Sequence, residues 1–201
     1  MTTELKKLRG RPRIFDMDEA LDKALLIFWK RGYEGASLAE LTETLGINKP
    51  SLYAAFGNKE ELFKKALTRY AAGSVTFIKE ALNEASAYQV AQSFLLKAAE
   101  FLTDTSHPQG CMIVQGALST GESAELAREV LIKYRVSYEN LLAARFVQAQ
   151  IDGDLSQDAN PKELAKYLAT LHQGMSVQAT SGANRQELIE VAKLALKIWP
   201  K

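Results

Sequence analysis

Basic and hydroxyl-bearing side chains gather in the first third of this chain in a pattern suited to gripping a polyanion. Lys49, Ser51 and Tyr53 fall within five residues of one another. A helix through them turns all three away from an inward set formed by Leu52 and Phe56. An ammonium, a short hydroxyl and a phenol on one exposed helix can reach phosphates and base edges in a DNA major groove. Upstream, residues 1–13 carry Lys6, Lys7, Arg9, Arg11 and Arg13 against one acid, Glu4. Such an arm is either a solvated tail or an extension along nucleic acid. A different chemistry attaches to Cys111, the single cysteine, which follows His107-Pro108-Gln109-Gly110. In the first turn of a helix it would feel the positive dipole end, which lowers a thiol pKa and raises its thiolate fraction. The alternative is a small buried hydrophobe.

Enzymatic chemistry has little to work with. The two histidines, His107 and His172, have no partner at metal-ligand spacing, and HExxH, CxxC, GxSxG and GxGxxG patterns are missing. His107, beside Pro108, reads as a surface-loop residue, and a Cys111–His107 couple has no third group to orient it. No catalytic residue, metal or cofactor is expected. One cysteine rules out an internal disulfide framework. The longest apolar runs are a few residues, such as Ala24 to Trp29, whereas a spanning helix needs roughly 20. The polar, basic start has no apolar stretch of the signal-peptide kind, so a cytoplasmic protein without a membrane partner is expected. The net charge of +1 divides unevenly: residues 1–70 hold 13 Lys and Arg against 10 Asp and Glu, the remainder 12 against 14. Positive charge is thus concentrated where the DNA-directed pattern lies.

These side chains need elements to hold them, and the sequence predicts helices throughout. Ala, Leu, Glu and Lys dominate, proline is scarce, and no stretch sustains strand alternation. Asp16 with Glu19 starts a first helix through Ala20, Ala24, Ile27 and Phe28, which stops at Gly32. Ser37 with Glu40 opens a short helix through Leu41 and Leu45, and Gly46 closes it. Asn48 caps a third helix, with Pro50 in its first turn, and Gly57 ends it. Asn58 with Glu61 opens a long fourth helix over about 59–83. Further helices are predicted near 88–104, 108–119, 123–150, 161–181 and 184–199, about nine in all. The pair 38–45 and 49–56, joined by Leu45-Gly46-Ile47-Asn48, has helix-turn-helix geometry, with Leu38, Leu41, Leu52, Phe56 and Phe28 inward.

Residues 21–70, above all GYEGASLAELTETLGINKPSLYAAFGNKEELFKKAL, closely resemble the DNA-binding segment of the TetR/AcrR family of bacterial transcription regulators. The resemblance implies an all-α fold: a three-helix DNA-binding head at 16–58 behind a basic arm at 1–15, and a helical ligand-binding and dimerisation domain at 59–201. It implies a homodimer on a palindromic double-stranded operator, most often repressing, and released by a small-molecule effector. By position, Ser37 and Thr42 resemble backbone-contacting residues of the second helix. Lys49, Pro50 and Ser51 fall where the family reads bases, Tyr53 where a phenol meets a phosphate, and Lys59 where a lysine holds a phosphate. A proline at position 50 departs from relatives with glycine or alanine, so base preference there does not transfer. The Arg-Gly-Arg-Pro of the arm resembles the minor-groove insert of AT-hook peptides, which suggests that Arg11 and Arg13 enter an adjacent minor groove.

In the larger domain, Leu164, Tyr167, Leu168, Leu171 and Met175 repeat at helical spacing beside Ala165, Ala169 and Gly174. The last helix offers Leu188, Val191, Ala192, Ala195, Ile198 and Trp199. Of these, Leu164, Tyr167, Leu168, Leu171, Leu188, Val191 and Ala195 are expected at a dimer interface, with another face of each helix in the subunit core. Pocket candidates are Phe94, Phe101, Cys111, Met112, Gln115, Tyr134, Tyr138, His172 and Met175, with Tyr88, Val114, Phe146, Gln173 and Gln178 also considered. Aromatic and Met residues at such spacing also simply pack cores. The GCMIVQGAL segment resembles that of TetR-type repressors, some of which sense electrophiles or oxidants through a cysteine, so a thiol-sensing repressor stays open beside a ligand-released one. So does a ligand-independent activator or architectural protein on the same DNA module.

Overall fold

The computed structural model describes residues 16–116 and 124–200. Among them lie ten helices and no strand: α1 (Met17–Gly35), α2 (Leu38–Leu45), α3 (Lys49–Phe56), α4 (Lys59–Gly73), α5 (Thr76–Leu82), α6 (Ala87–Thr103), α7 (Met112–Gln115), α8 (Glu125–Ile151), α9 (Pro161–Thr180) and α10 (Arg185–Lys197). The all-α class is as expected, but the count is ten because the long helix predicted over 59–83 breaks at Ser74-Val75. The break lacks a side-chain cap: no side chain bonds the start of α5. The helix predicted at 108–119 is only α7 within the described residues.

Local chemistry sets the helix starts. Asp16, Ser37, Asn48, Asn58 and Asn160 each accept backbone N–H bonds through their side chains, satisfying donors that a helix N-terminus otherwise leaves open. The full reciprocal box, in which the third helical residue bonds back, forms at Ser86–Gln89 and Asn184–Glu187. At Ser37 only half of it forms, because Glu40 turns to the Arg31 guanidinium instead. The helix does not stop at Gly32 as expected: Gly32 takes φ 69° inside α1, so the chain kinks there and a last turn runs on to Gly35.

Helix α1 packs along α4, and α2 and α3 close against them. Phe28, Leu41, Leu52, Phe56 and Phe63 are buried in this head. Phe63 meets Phe28 and Tyr33 edge-on, both at 5.1 Å between centroids, a preferred aromatic geometry. Arg69 of α4 spans to Asp18 and Asp22 of α1 at 2.8 Å. In the body, α6 is the central helix, touching α5, α8, α9 and α10, while α9 lies along α8. The segment leading into α7 wedges between head and body. Gly110 N–H donates to the Leu102 carbonyl at the end of α6, and its own carbonyl accepts from the Trp29 indole of α1 at 3.2 Å.

Gly110 has φ 79°, and a Cβ there would sit 2.6 Å from Thr180 Cγ2 and 3.2 Å from the Ser176 carbonyl. Both the left-handed backbone and the contact with α9 demand glycine. Gly110→Ala is expected to destabilise the protein by roughly 1–3 kcal/mol, measured by urea denaturation. Gly153→Ala, also at positive φ but with open space around it, should cost less.

Candidate functional site

The helix-turn-helix presents one face of α3 to solvent. Leu52 and Phe56 are buried, whereas Lys49, Pro50, Ser51, Tyr53 and Ala54 are exposed. Gly46, at φ 69°, lets the chain reverse between α2 and α3, and half-buried Ile47 pins the turn to the core. The Asn48 side chain accepts from Ser51 N–H at 2.9 Å. Acids stand in the first turns of α2 and α4, at Glu40, Glu60 and Glu61, but the first turn of α3 has none. The positive end of the α3 dipole is therefore left for an external anion. Ala54, one turn beyond Pro50, lies near the centre of the outward face with it. Sequence reasoning passed over Ala54 because an alanine declares no chemistry by type. An apolar pair there is suited to thymine methyl groups rather than to hydrogen-bonded base edges.

Around this face the other candidates differ in readiness. Ser37 is exposed, though its oxygen already accepts from Glu40 N–H. Thr42 is half-buried and donates its hydroxyl to the Leu38 and Ala39 carbonyls, so it must give up a bond within α2 to reach a phosphate. Lys49 Nζ lies 5.8 Å from the centroid of Tyr53. Lys59 begins α4 with Nζ 4.6 Å above Tyr33, and partial burial lowers its ammonium pKa against the pull of Glu34. Arg11 and Arg13 lie outside the described residues.

The interior candidates separate into two groups. Phe94, Met112, Val114, Tyr138, His172 and Met175 are buried, and Phe101 and Tyr134 half-buried. Rings of Phe77, Phe94 and Tyr138 surround His172 at 6.1, 5.6 and 5.8 Å between centroids. Phe77 also touches Phe101, which stacks on Trp29. Gln173 donates to the Tyr138 hydroxyl at 3.2 Å. Gln115 is committed to the Ser176 carbonyl and Thr180 hydroxyl. Elsewhere, Tyr88 and Gln178 are exposed and Phe146 packs on Trp199, away from the His172 rings.

Two local expectations change. His107 lies in the loop between α6 and α7 but is half-buried rather than free at the surface, its ring stacked 4.5 Å from Trp29 and tilted 4.7 Å from Phe101. For Cys111 the buried alternative holds and the helix-dipole one does not: it is 2% exposed, and burial pushes its thiol pKa up rather than down. The helix it precedes has only four residues, too short for the dipole to offset desolvation. Its Sγ accepts from the Tyr70 hydroxyl of α4 at 3.3 Å, and its N–H donates to Ser176 Oγ of α9 at 2.8 Å.

Of the dimer candidates, Leu168, Leu188 and Ala195 are buried within the subunit; Leu164, Tyr167 and Leu171 are half-buried and Val191 is exposed. The outward stripe of α10 is Val191 and Leu194, continued by its C-cap residue Ile198, the last two 66% and 71% exposed. On α9, Thr170, Gly174 and Val177 face out.

Residues 20–66 match the family described as bacterial regulatory proteins, tetR family, and residues 87–194 match the C-terminal domain of LmrA/YxaF-like transcriptional regulators. The chain is 34% identical to the HTH-type transcriptional repressor ComR of Escherichia coli (strain K12) over 98% of its length and 95% of that protein's. It is 27% identical to the repressor BdcR of the same organism, over 97% and 94%. Among solved structures, a cysteine mutant of the TetR family regulator CifR in complex with 26-bp double-strand operator DNA is 41% identical. That likeness covers 94% of this chain and 100% of the other, with a TM-score of 0.90. The reduced form of NemR from E. coli, 21% identical at a TM-score of 0.77 and covering 90% and 95%, has the same fold.

With its thiol buried and its pKa raised, Cys111 should react slowly in the native protein. Iodoacetamide at pH 7.5 is expected to alkylate it at least about tenfold slower than a free thiol. Addition of denaturant should restore the ordinary rate, which mass spectrometry over time would follow.

Proposed function

The chain belongs to the TetR family of bacterial regulatory proteins, and we propose that it is a transcriptional repressor whose homodimer holds a palindromic operator until an effector enters the helical body. The observation that carries the reading is α3: a capped helix with an acid-free first turn, exposing Lys49, Pro50, Ser51, Tyr53 and Ala54. Phosphate contacts fix register, and base-edge and methyl contacts select sequence. In this reading Tyr53 and Lys59 hold phosphates with Ser37 and Thr42 beside them, Lys49 and Ser51 reach base edges, Pro50 and Ala54 meet thymine methyl groups, and Arg11 and Arg13 follow a minor groove. Binding to a chromosomal operator sets the place of action in the cytoplasm.

Release follows from how the head is fastened. The proposed boundary at 58/59 cuts between α3 and α4, yet α4 packs along α1 and also touches α5 and α8. Trp29 of α1 holds Gly110, and Tyr70 of α4 holds Cys111. An occupant that displaces this corner moves α4, which touches α3, and α1, which holds α2. Its leverage equals its difference in affinity between the two arrangements. Thiol modification is the second reading, favoured by one contact: Cys111 Sγ touches Tyr70 directly, so an adduct there crowds α4 without an intermediary.

The dimer face is assigned to the outward stripes of α9 and α10. Gly174 sits mid-helix, where glycine costs about 1 kcal/mol relative to alanine, yet an added Cβ meets nothing within 4 Å in its own subunit. A partner helix passing close to it gives that glycine a purpose. Exposed Val177, Val191, Leu194 and Ile198 supply the apolar area.

Two measurements test this. With an operator isolated from bound genomic fragments, Lys59→Ala should weaken affinity about tenfold and flatten the salt dependence by about one unit of slope, while deletion of residues 1–13 flattens it further. Binding indifferent to sequence would instead make the protein an architectural one. In sedimentation, Gly174→Leu should convert dimer to monomer with helicity unchanged; an intact dimer would move the interface elsewhere.

A further inference from the structure

The inner face of α9 carries a group that the packing of the subunit does not explain. His172 is 1% exposed, and neither ring nitrogen has a hydrogen-bond partner. A neutral imidazole carries one N–H donor and one bare acceptor nitrogen, and leaving both unused inside a protein is a penalty that a leucine or phenylalanine would avoid. Ser176, one turn further along the same face, is equally buried, but its hydroxyl is used by Cys111 N–H. The other surroundings of His172 are aromatic: Phe77 from α5, Phe94 from α6 and Tyr138 from α8.

Resting on the effector-released reading above, we infer that His172 is the polar anchor of the effector site, and that the effector is an uncharged molecule with a flat apolar frame and one hydroxyl or carbonyl group. The frame follows from the three rings, which offer faces and edges. The single polar group follows from the imidazole, which can donate to a carbonyl and can both donate to and accept from a hydroxyl. The absence of charge follows from the lining. Among the described residues no Asp, Glu, Lys or Arg is in the buried class, and the two hydroxyls nearest the ring, of Tyr138 and Ser176, are uncharged and already hydrogen-bonded. Burial alone lowers the His172 pKa to about 4, with no charged side chain contributing, so the ring is neutral at physiological pH and gives a carboxylate no counterion. Arg135 influences Cys111 and Tyr138 electrostatically but not His172. Glu139 likewise acts on the Tyr138 hydroxyl and not on His172, so no acid stands against the ring for an ammonium.

The position also supplies a route outward. An occupant at His172 lies one helical turn from Ser176, hence from the Cys111 backbone. It also bears on Phe77, which touches the Phe101 ring stacked on Trp29. Both paths end on the corner that fastens α1 and α4.

The test uses the full-length dimer and three probes of one shape: benzyl alcohol, benzoate and benzylamine at equal millimolar concentration. Long-range ¹H–¹⁵N spectra report the imidazole nitrogens, with His107→Gln assigning the two histidines. Benzyl alcohol should shift the His172 nitrogens and raise Tm, with apparent affinity at least about tenfold above that of either charged probe. His172→Phe should abolish the Tm response while still binding operator. His172 nitrogens unmoved by the alcohol, or moved equally by benzoate or benzylamine, overturn the inference. So does a His172→Phe protein that responds like the wild type; if that variant does not fold, the wild-type spectra decide alone. Probe-free operator binding, measured on the same samples, separates the two levels. Its loss in the wild type removes the repressor reading, whereas intact operator binding with an indifferent His172 overturns only the effector assignment.

Discussion

Two consecutive residues, Gly110 and Cys111, fasten four helices, and the rest of the architecture is arranged around that corner. Gly110 N–H holds the end of α6, its carbonyl holds Trp29 of α1, Cys111 N–H is taken by Ser176 of α9, and Cys111 Sγ by Tyr70 of α4. These groups are buried, so each bond that opens without a replacement leaves a donor or acceptor stranded in an apolar interior. The corner therefore does not yield by degrees. Helices α1 and α4 stay in register with α9, or several bonds exchange together. A left-handed glycine against Thr180 makes this geometry possible and admits no other side chain without displacement.

Legibility in the sequence follows how local the deciding physics is. The head was readable because its boundaries are written by residue type: Asp16, Ser37, Asn48 and Asn58 as caps, and Gly46 at positive φ closing α2. The outward order of Lys49, Ser51 and Tyr53 follows from the burial of Leu52 and Phe56 alone. The family likeness added roles but not contacts, and it did not foresee that Thr42 spends its hydroxyl on its own helix or that Lys59 lies over Tyr33.

What escaped the sequence depends on contacts between distant residues. Trp29 and Gly110 are 81 positions apart, and no periodicity announces their bond. The same distance hid the stacking that draws His107 inward, and the desolvation that raises the Cys111 pKa instead of lowering it. The break between α4 and α5 escaped for a different reason: the apolar repeat runs on through Val75, Phe77 and Ile78, all buried, while the backbone changes direction. On α9 and α10 periodicity revealed apolar stripes but not their assignment, and Leu168 and Leu188 look in sequence much like Leu194 and Ile198.

Helix α9 carries His172, Met175 and Ser176 on its buried side and Thr170, Gly174 and Val177 on the other. If the outer side meets its twin across the dimer axis, one rigid rod is shared by the interior of a subunit and the seam between subunits. A shift of that rod on one side alters the seam that both copies must fit. The two halves of the dimer are then not separate switches. Occupying one changes the cost of rearranging the other, so the two sites do not titrate as independent ones.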